Sequence, residues 1–509
     1  MPPATAPLEG VPLGWSEVPG DLPRRFASRE ALARSLAQWW PGAPGGLPPS
    51  PIRGGRAAAE QRLAAIDPLR YGFSRNHLEG AVTRLSPYLR HGVLSLAEVR
   101  EATFRWLERH GYGAPQRRAE GRRVAGKFLQ ELGWRDYWQR LWGQLGDGIW
   151  HDREPLSTGL PPGAYGTAKP PDLAEGRTGL ACIDAFVGEL VGTGWLHNHA
   201  RLWLASYLVH WRRLHWSVGA RWFLVHLLDG DPASNNLSWQ WVASSFSSKP
   251  YVFNRANLER FGGGGHCRGC RAAAEGRCPF DATYEQLQER LFAPQAAPVW
   301  AAAASLPAAE SPAVESPAAE CPAERAGSVP DAAALQAPVL WIHGEALSPA
   351  NPALRAHPGR PALFVFDAVL LAGETATAPS APSLGRRGFL LECLLELPVS
   401  IRCGDPVEEL LAFAARQGAD GVVTTAAVDP RFAQLRRRLE RHLPVRVLAG
   451  ESFLPPDLAP FTPRELGRFS RYWRRAEPAV WRCWSPGGDP SADPPPGAGA
   501  PAPAPRSDR

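Results

Sequence analysis

Asp229-Gly-Asp-Pro-Ala-Ser-Asn-Asn-Leu-Ser-Trp-Gln-Trp241 crowds carboxylates, side-chain amides and two indoles into one short stretch, and Thr193-Gly-Trp-Leu-His-Asn198 stands about thirty residues upstream. Capping a helix or filling a core needs far less polar chemistry than this. The composition points instead to a bound flat ring, with amide and carboxylate partners around its edge and aromatic neighbours beside it.

Working outward from that stretch, apolar residues recur at helical spacing from 56 to 292. Ile183, Phe186, Val187 and Leu190 make one stripe, Leu204, Tyr207, Leu208 and Trp211 a second, and Phe223, Leu224, Leu227 and Leu228 a third. No strand-like alternation interrupts them, so this body is predicted to be all-α. From 338 the pattern changes to short apolar runs at 339–342, 363–366, 421–425 and 445–448, separated by helical stretches at 384–397 and 406–416. That alternation predicts a Rossmann-like parallel α/β domain over 338–484. His343-Gly-Glu-Ala follows the first run where a dinucleotide fingerprint would need its glycines, which weakens a dinucleotide reading of this domain.

Three softer segments complete the organisation. Residues 1–55 are rich in Pro and Gly, with one helix-like piece at 31–40, and are expected to be partly ordered. Residues 293–337 are mostly Ala, Pro, Glu and Ser, with near-repeats at Glu310-Ser-Pro-Ala and Glu315-Ser-Pro-Ala, and read as a linker. Such a linker reaches roughly 40 Å on average, enough for the two bodies to dock. The tail at 485–509 is Pro, Gly, Ala and Asp and is expected to be disordered.

The net charge of +6 and the pI near 9.0 come almost wholly from arginine, because Lys127, Lys169 and Lys249 are the only lysines. Guanidinium forks suit phosphate, which favours a nucleic-acid partner. Neither a secretory leader nor a run of about 18 apolar residues is seen, so a cytoplasmic protein with no membrane association is expected. In that compartment the eight cysteines read as thiols or metal ligands before disulfides.

With these residues in view, the helical body resembles the DNA photolyase and cryptochrome family. Thr83-Arg-Leu-Ser-Pro-Tyr-Leu-Arg90 is similar to the loop that clasps the flavin phosphates, with Tyr71 and Arg75 upstream; Val82 stands where the family has threonine. Phe128-Leu-Gln-Glu-Leu-Gly-Trp-Arg135 resembles the next motif, whose spacing puts Glu131 and Arg135 on one helical face. The resemblance implies FAD as cofactor, held by Tyr71, Thr83, Arg84, Leu85, Ser86, Phe128, Arg135, Asn198, Arg201, Asp229, Asp231, Asn235 and Asn236. It implies that Asn235 faces the flavin N5, where a neutral amide supports a reduced ring, and that Glu131, Trp134 and Trp241 line a lesion pocket. Trp239 and Trp216 fit the first two steps of the family's electron-hopping relay, and the third is not assigned.

The function that the resemblance implies is light-driven repair of cyclobutane pyrimidine dimers in UV-damaged DNA by a deoxyribodipyrimidine photo-lyase, expected to be a monomer. Repair of the (6-4) lesion uses paired histidines; here the second position is Asn198 and the site four residues on is Leu202, which favours the cyclobutane dimer. The rival readings are a (6-4) photolyase, a cryptochrome-like photoreceptor without repair activity, and a DNA-binding flavoprotein with no photochemistry. Cys267-Arg-Gly-Cys270 followed by Cys278 resembles the bacterial iron–sulfur branch, with Cys182 as fourth ligand of a [4Fe–4S] cluster; zinc held by the three late cysteines and His266 is the runner-up. The α/β domain resembles the family's antenna domain, placed last where the family has it first. Two readings of it stand side by side, binding of a folate or a deazaflavin and mere covering of the helical body, and the antenna chromophore stays unassigned.

Overall fold

The structure is a computed structural model that describes residues 20–45, 49–292, 335–373 and 381–484. The expected linker, apart from 335–337, and the expected tail lie outside the described residues.

The helical body is built around α1 (Arg118–Leu145), which buries Phe128, Leu129, Leu132, Tyr137, Trp138, Leu141 and Trp142. Its apolar positions recur every three to four residues, so one broad stripe faces the core. The helices α2 (Asn198–Ser206), which continues into a buried π turn at Tyr207–Trp211, and α3 (Trp216–His226) pack on α4 (Pro232–Ala243), and α4 packs on α1. Asp231 caps α4 by accepting from the Ser234 N–H at 2.8 Å, and Pro232 supplies a preset first helical residue. The helix Ala181–Thr193 ends at Gly194 with φ 69°, where a Cβ would stand 2.8 Å from Leu228; the Thr193-Gly194 turn therefore excludes any side chain.

Five parallel strands, β1 (Val339–Ile342), β2 (Ala362–Asp367), β3 (Ser400–Gly404), β4 (Val422–Thr425) and β5 (Val445–Leu448), form a sheet in the order β3-β2-β1-β4-β5. Leu340 sits beside Ala362 on one flank and Val423 on the other, and β1, β2 and β4 are buried along their whole length. Four of the strands coincide with the apolar runs. The fifth, β3, does not, because it is an edge strand in which only Ile401 is buried and Arg402 faces outward to Asp21. The backbone N–H of Leu22 donates to Ile401 O at 2.8 Å and so covers part of that edge.

Two segments cross between the bodies in ways that composition did not reveal. The helix Arg29–Trp39 packs on α5 (Leu384–Leu395) of the α/β unit, with the Trp40 ring 5.3 Å from Phe366. At the other end, α6 (Phe469–Arg482) leaves the sheet and lies along α1, although it falls within the range read as the α/β domain. One core cluster consequently contains both Leu129 of α1 and Leu340 of β1. Hydrogen bonds reinforce the docking: Leu347 N–H donates to His91 O at 2.9 Å, and Arg386 donates to Leu224 O at 2.5 Å and Gly230 O at 2.7 Å. Among the described residues no helix is long and apolar enough to cross a membrane.

Candidate functional site

A cavity of about 720 Å³ opens in the helical body. The segment before α1 supplies Tyr71, Arg75, Thr83, Leu85 and Ser86, α1 supplies Phe128, Glu131, Trp134 and Arg135, and α2 supplies Asn198, Arg201 and Leu202. Asp229, Asp231, Asn235, Trp239 and Trp241 close the far side. Residues four apart on α1 and on α4 share a face, which is why these scattered positions converge.

The polar end is organised by two carboxylates. Asp231, 2% exposed, accepts from Gln139 Nε2 at 2.9 and 3.0 Å and faces Arg135 at 3.7 Å and Arg90 at 3.8 Å. Burial pushes its carboxyl up, but the two guanidiniums outweigh that and hold it below the usual range. Asp229 binds Arg201 through Oδ2 at 2.7 Å, while its buried Oδ1 has no hydrogen-bond donor. An orphaned carboxylate oxygen in a polar cavity fits a ring imide or a hydroxyl of a flavin nucleotide. Asn235 donates from Nδ2 to Ala220 O at 2.9 Å and to Asn236 Oδ1 at 3.0 Å, so its amide is anchored from behind.

The aromatic end is more open. Glu131 is tied to Lys127 at 2.7 Å and faces Arg75 at 3.7 Å. Trp241 is 40% exposed, an unusual state for an indole and one suited to a stacking face. Trp239, 2% exposed, lies between the cavity and α3 and meets Phe223 edge-on with centroids 4.9 Å apart.

Three expected residues stand outside the wall. Arg84 lies over the Trp195 ring at 4.5 Å, with φ 53°. Asn236 is fully buried behind Asn235 and reaches toward Ile149 O. Trp216 is buried at the start of α3 and donates from Nε1 to Asp152. Arg212 binds Asp172 in a fork at 2.8 and 2.9 Å, and Arg213 is buried against Leu291 O. Gln139, Lys127, Ser234 and Ser238 escaped the sequence reading. Gln139 continues the Glu131–Arg135 face by one more turn, a signal that was available.

The four cysteines Cys182, Cys267, Cys270 and Cys278 pack in or against one apolar cluster as free thiols. Burial pushes the Cys182 thiol up, and the neighbouring Cys267, Cys278 and Cys270 add to that. Yet among the described residues no three His, Cys, Asp or Glu side chains form a group that could hold a metal ion, so neither the four-thiolate set nor the three-cysteine and His266 set is assembled.

A second cavity, of about 270 Å³, lies where the helical body meets the carboxyl ends of the strands. Its wall includes Glu345 after β1, Asp367 at the end of β2, Asp429 after β4, and Trp150. This is the switch point of the sheet, where doubly wound folds bind ligands. Arg90 joins the two cavities, since it binds Glu345 at 2.7 Å and faces Asp231. Burial and then Glu345 push the Asp429 carboxyl up to about 6.

The fold and the site define a protein of two bodies, a helical one with a polar and aromatic cavity and a doubly wound α/β unit docked on it. Residues 128–262 match the family described as the FAD binding domain of DNA photolyase. A deoxyribodipyrimidine photo-lyase of Streptomyces griseus is 33% identical over 203 residues, 39% of this chain and 41% of that one. One from Synechococcus sp. is 30% identical over 276 residues, 50% of this chain and 51% of that one. The crystal structure of an archaeal photolyase from Sulfolobus tokodaii with two FAD molecules shares 28% identity, over 42% of this chain and 46% of that one, with a TM-score of 0.33. The likeness to the FAD binding domain of DNA photolyase thus lies in residues 128–262, and the chain spans about half the length of the curated relatives it matches or somewhat less.

Proposed function

We propose that this protein uses FAD and light to split cyclobutane pyrimidine dimers in UV-damaged DNA. The observation that carries this reading is the joining, in one cavity, of a polar end built on Asp229, Asp231 and Asn235 to an open aromatic end built on Glu131, Trp134 and Trp241. When bound, reduced and excited FAD would supply the electron that splits the fused pyrimidines.

The chain's own residues do the rest. Arg135 and Gln139 hold the buried Asp231 and with it fix the ring edge, and Asp229 Oδ1 offers a vacant acceptor. Asn235, anchored through its Nδ2, keeps its carbonyl oxygen for a ring N–H. Trp134 and Trp241 provide faces for a flipped-out dinucleotide, roughly 1–3 kcal/mol per stacked base. Glu131 exchanges Lys127 for the pyrimidine edge. The relay role of Trp239 and Trp216 is supported by the burial of both indoles on two helices that pack together, Trp239 in the cavity wall.

The cyclobutane lesion is favoured over the (6-4) lesion because no imidazole lines this cavity among the described residues. His199 packs against Phe261, 5.2 Å away, and burial lowers His197 to about 4, so neither is a ready proton donor to a lesion. Cys182, Cys267, Cys270 and Cys278 form no metal-holding group among the described residues, so no cluster enters this reading.

The decisive experiment is to incubate the purified protein with each photoproduct under blue light and in darkness. Restoration of the cyclobutane dimer in light alone is the expected result. Failure to restore either lesion would leave the photoreceptor reading ahead.

A further inference from the structure

One stripe of α1 runs along the open, aromatic end of the larger cavity. Lys127, Glu131, Trp134 and Trp138 are spaced four, three and four residues apart, so their side chains leave the helix on one side, and all four stand in the cavity wall. Lys127 Nζ reaches Glu131 Oε1 at 2.7 Å and donates to Gln130 Oε1 at 2.8 Å. The two members of the ion pair keep 33% and 34% of their side-chain surface exposed.

Helix stability does not account for this pair. Lysine four residues before glutamate is the weaker order of such a pair, and at this exposure it contributes little. Charge balance does not account for it either. Arg75 Nε already faces the same carboxylate at 3.7 Å, while its Nη1 donates to Gly72 O at 3.3 Å, so two cations stand around one anion and this end of the cavity holds a positive charge in excess. The chain is almost free of lysine, and of Lys127, Lys169 and Lys249 only Lys127 lines this cavity. A compact ammonium can turn its donors from Glu131 to another acceptor, which a planar guanidinium fork does less readily.

We infer that Lys127 is a further catalytic residue of the proposed reaction, an ammonium that bonds to the carbonyl oxygens of the pyrimidine pair and stabilises the negative charge the pair carries while it splits. The inference rests on the repair reading above and deepens it. A cyclobutane dimer enters the cavity with uncharged bases. One electron then adds one negative charge, held mainly on the carbonyl oxygens; the two carbon–carbon bonds joining the rings open in turn, and the electron leaves again. No atom and no proton is gained or lost, and Lys127 stays protonated throughout. When Glu131 turns to the pyrimidine edge, it frees the ammonium beside that same edge. A neutral carbonyl only replaces the carboxylate that Lys127 gave up, whereas an anionic one binds it strongly. The interaction is therefore greatest in the charged state, and it favours splitting over early return of the electron.

The test compares the full chain with its cofactor bound and the variant K127M, which keeps the reach of the side chain and removes its charge. Two quantities are read: affinity for a fluorescent duplex bearing one thymine dimer, by anisotropy across a salt series, and the fraction of absorbed photons that restores a dimer. K127M should leave the affinity and its salt slope nearly unchanged. It should lower the photon yield about fivefold, the order expected of one unit charge a few ångströms away at a partly exposed site, and K127R should recover most of that loss. An unchanged yield in K127M, or a K127R protein as poor as K127M, would overturn the assignment and leave the repair reading intact. So would an affinity that falls equally for damaged and undamaged duplexes with a flatter salt slope, which would make Lys127 a phosphate contact. Loss of bound flavin from K127M would overturn it too, by placing the lysine at the other end of the cavity. A wild-type protein that restores no dimer would remove both readings.

Discussion

Gly219 of α3 and Trp239 of α4 meet in direct contact: a Cβ on the glycine would stand 2.1 Å from the indole Cη2. A missing side chain on one helix thus sets the depth at which the ring of the next one lies, between the cavity and the interior. The relationship has a consequence for stability. Gly219→Ala gains about 1 kcal/mol of helix propensity, but the displaced indole should lower stability by more, for a net loss of roughly 1–3 kcal/mol. Urea unfolding measures this, and a more stable variant would show that the two helices are not packed this closely.

Asp231→Asn separates charge from capping, since asparagine caps a helix about as well as aspartate. The substitution leaves Arg135 and Arg90 facing a neutral group, at an expected expense of about 3 kcal/mol for breaking a buried charged set. Flavin retention on gel filtration should fall in parallel. Full retention with unchanged stability would mean that the carboxylate does not hold the polar end together.

Asn235→Asp and Glu131→Ala should separate the two ends of the cavity. On the proposed assignment the first would place a negative charge beside the flavin N5 and should destabilise the reduced cofactor with lesion affinity kept. The second should weaken binding of the damaged duplex about tenfold or more with the cofactor kept, as loss of a charge-assisted hydrogen bond predicts. Redox titration and anisotropy read the two effects. If they were interchanged, the assignment of the ends would be wrong.

Stability should fall on mild acidification. Burial lowers His197 and His226 to about 4 and His210 to about 3, whereas the same imidazoles in the unfolded chain titrate normally. Below the ordinary histidine pKa of about 6.5 the unfolded state takes up protons that the folded state refuses, so unfolding becomes easier as pH drops toward about 4; above that window the effect vanishes. Each group contributes on the order of 1 kcal/mol per pH unit inside the window. Urea midpoints at pH 7.5, 6 and 5 check the slope, and a flat profile would contradict the burial of these rings.

The sequence alone was enough to anticipate the helical body, four of the five strands and most of the cavity wall. These rest on local signals: apolar stripes at helical spacing, short buried apolar runs, and functional side chains placed four apart on α1 and α4. Where an expected residue missed the cavity, the cause was rotation about a helix or turn that spacing does not specify, as with Asn236 behind Asn235 and Arg84 over Trp195. Only the tertiary structure decided that the helix Arg29–Trp39 seats on α5, that Leu22 pairs with the edge of β3, and that α6 returns to α1 and lays Phe469 on Trp134. Those contacts join residues hundreds of positions apart. No periodicity along the chain encodes them, because they follow from which exposed apolar faces remain once each body has formed its own core.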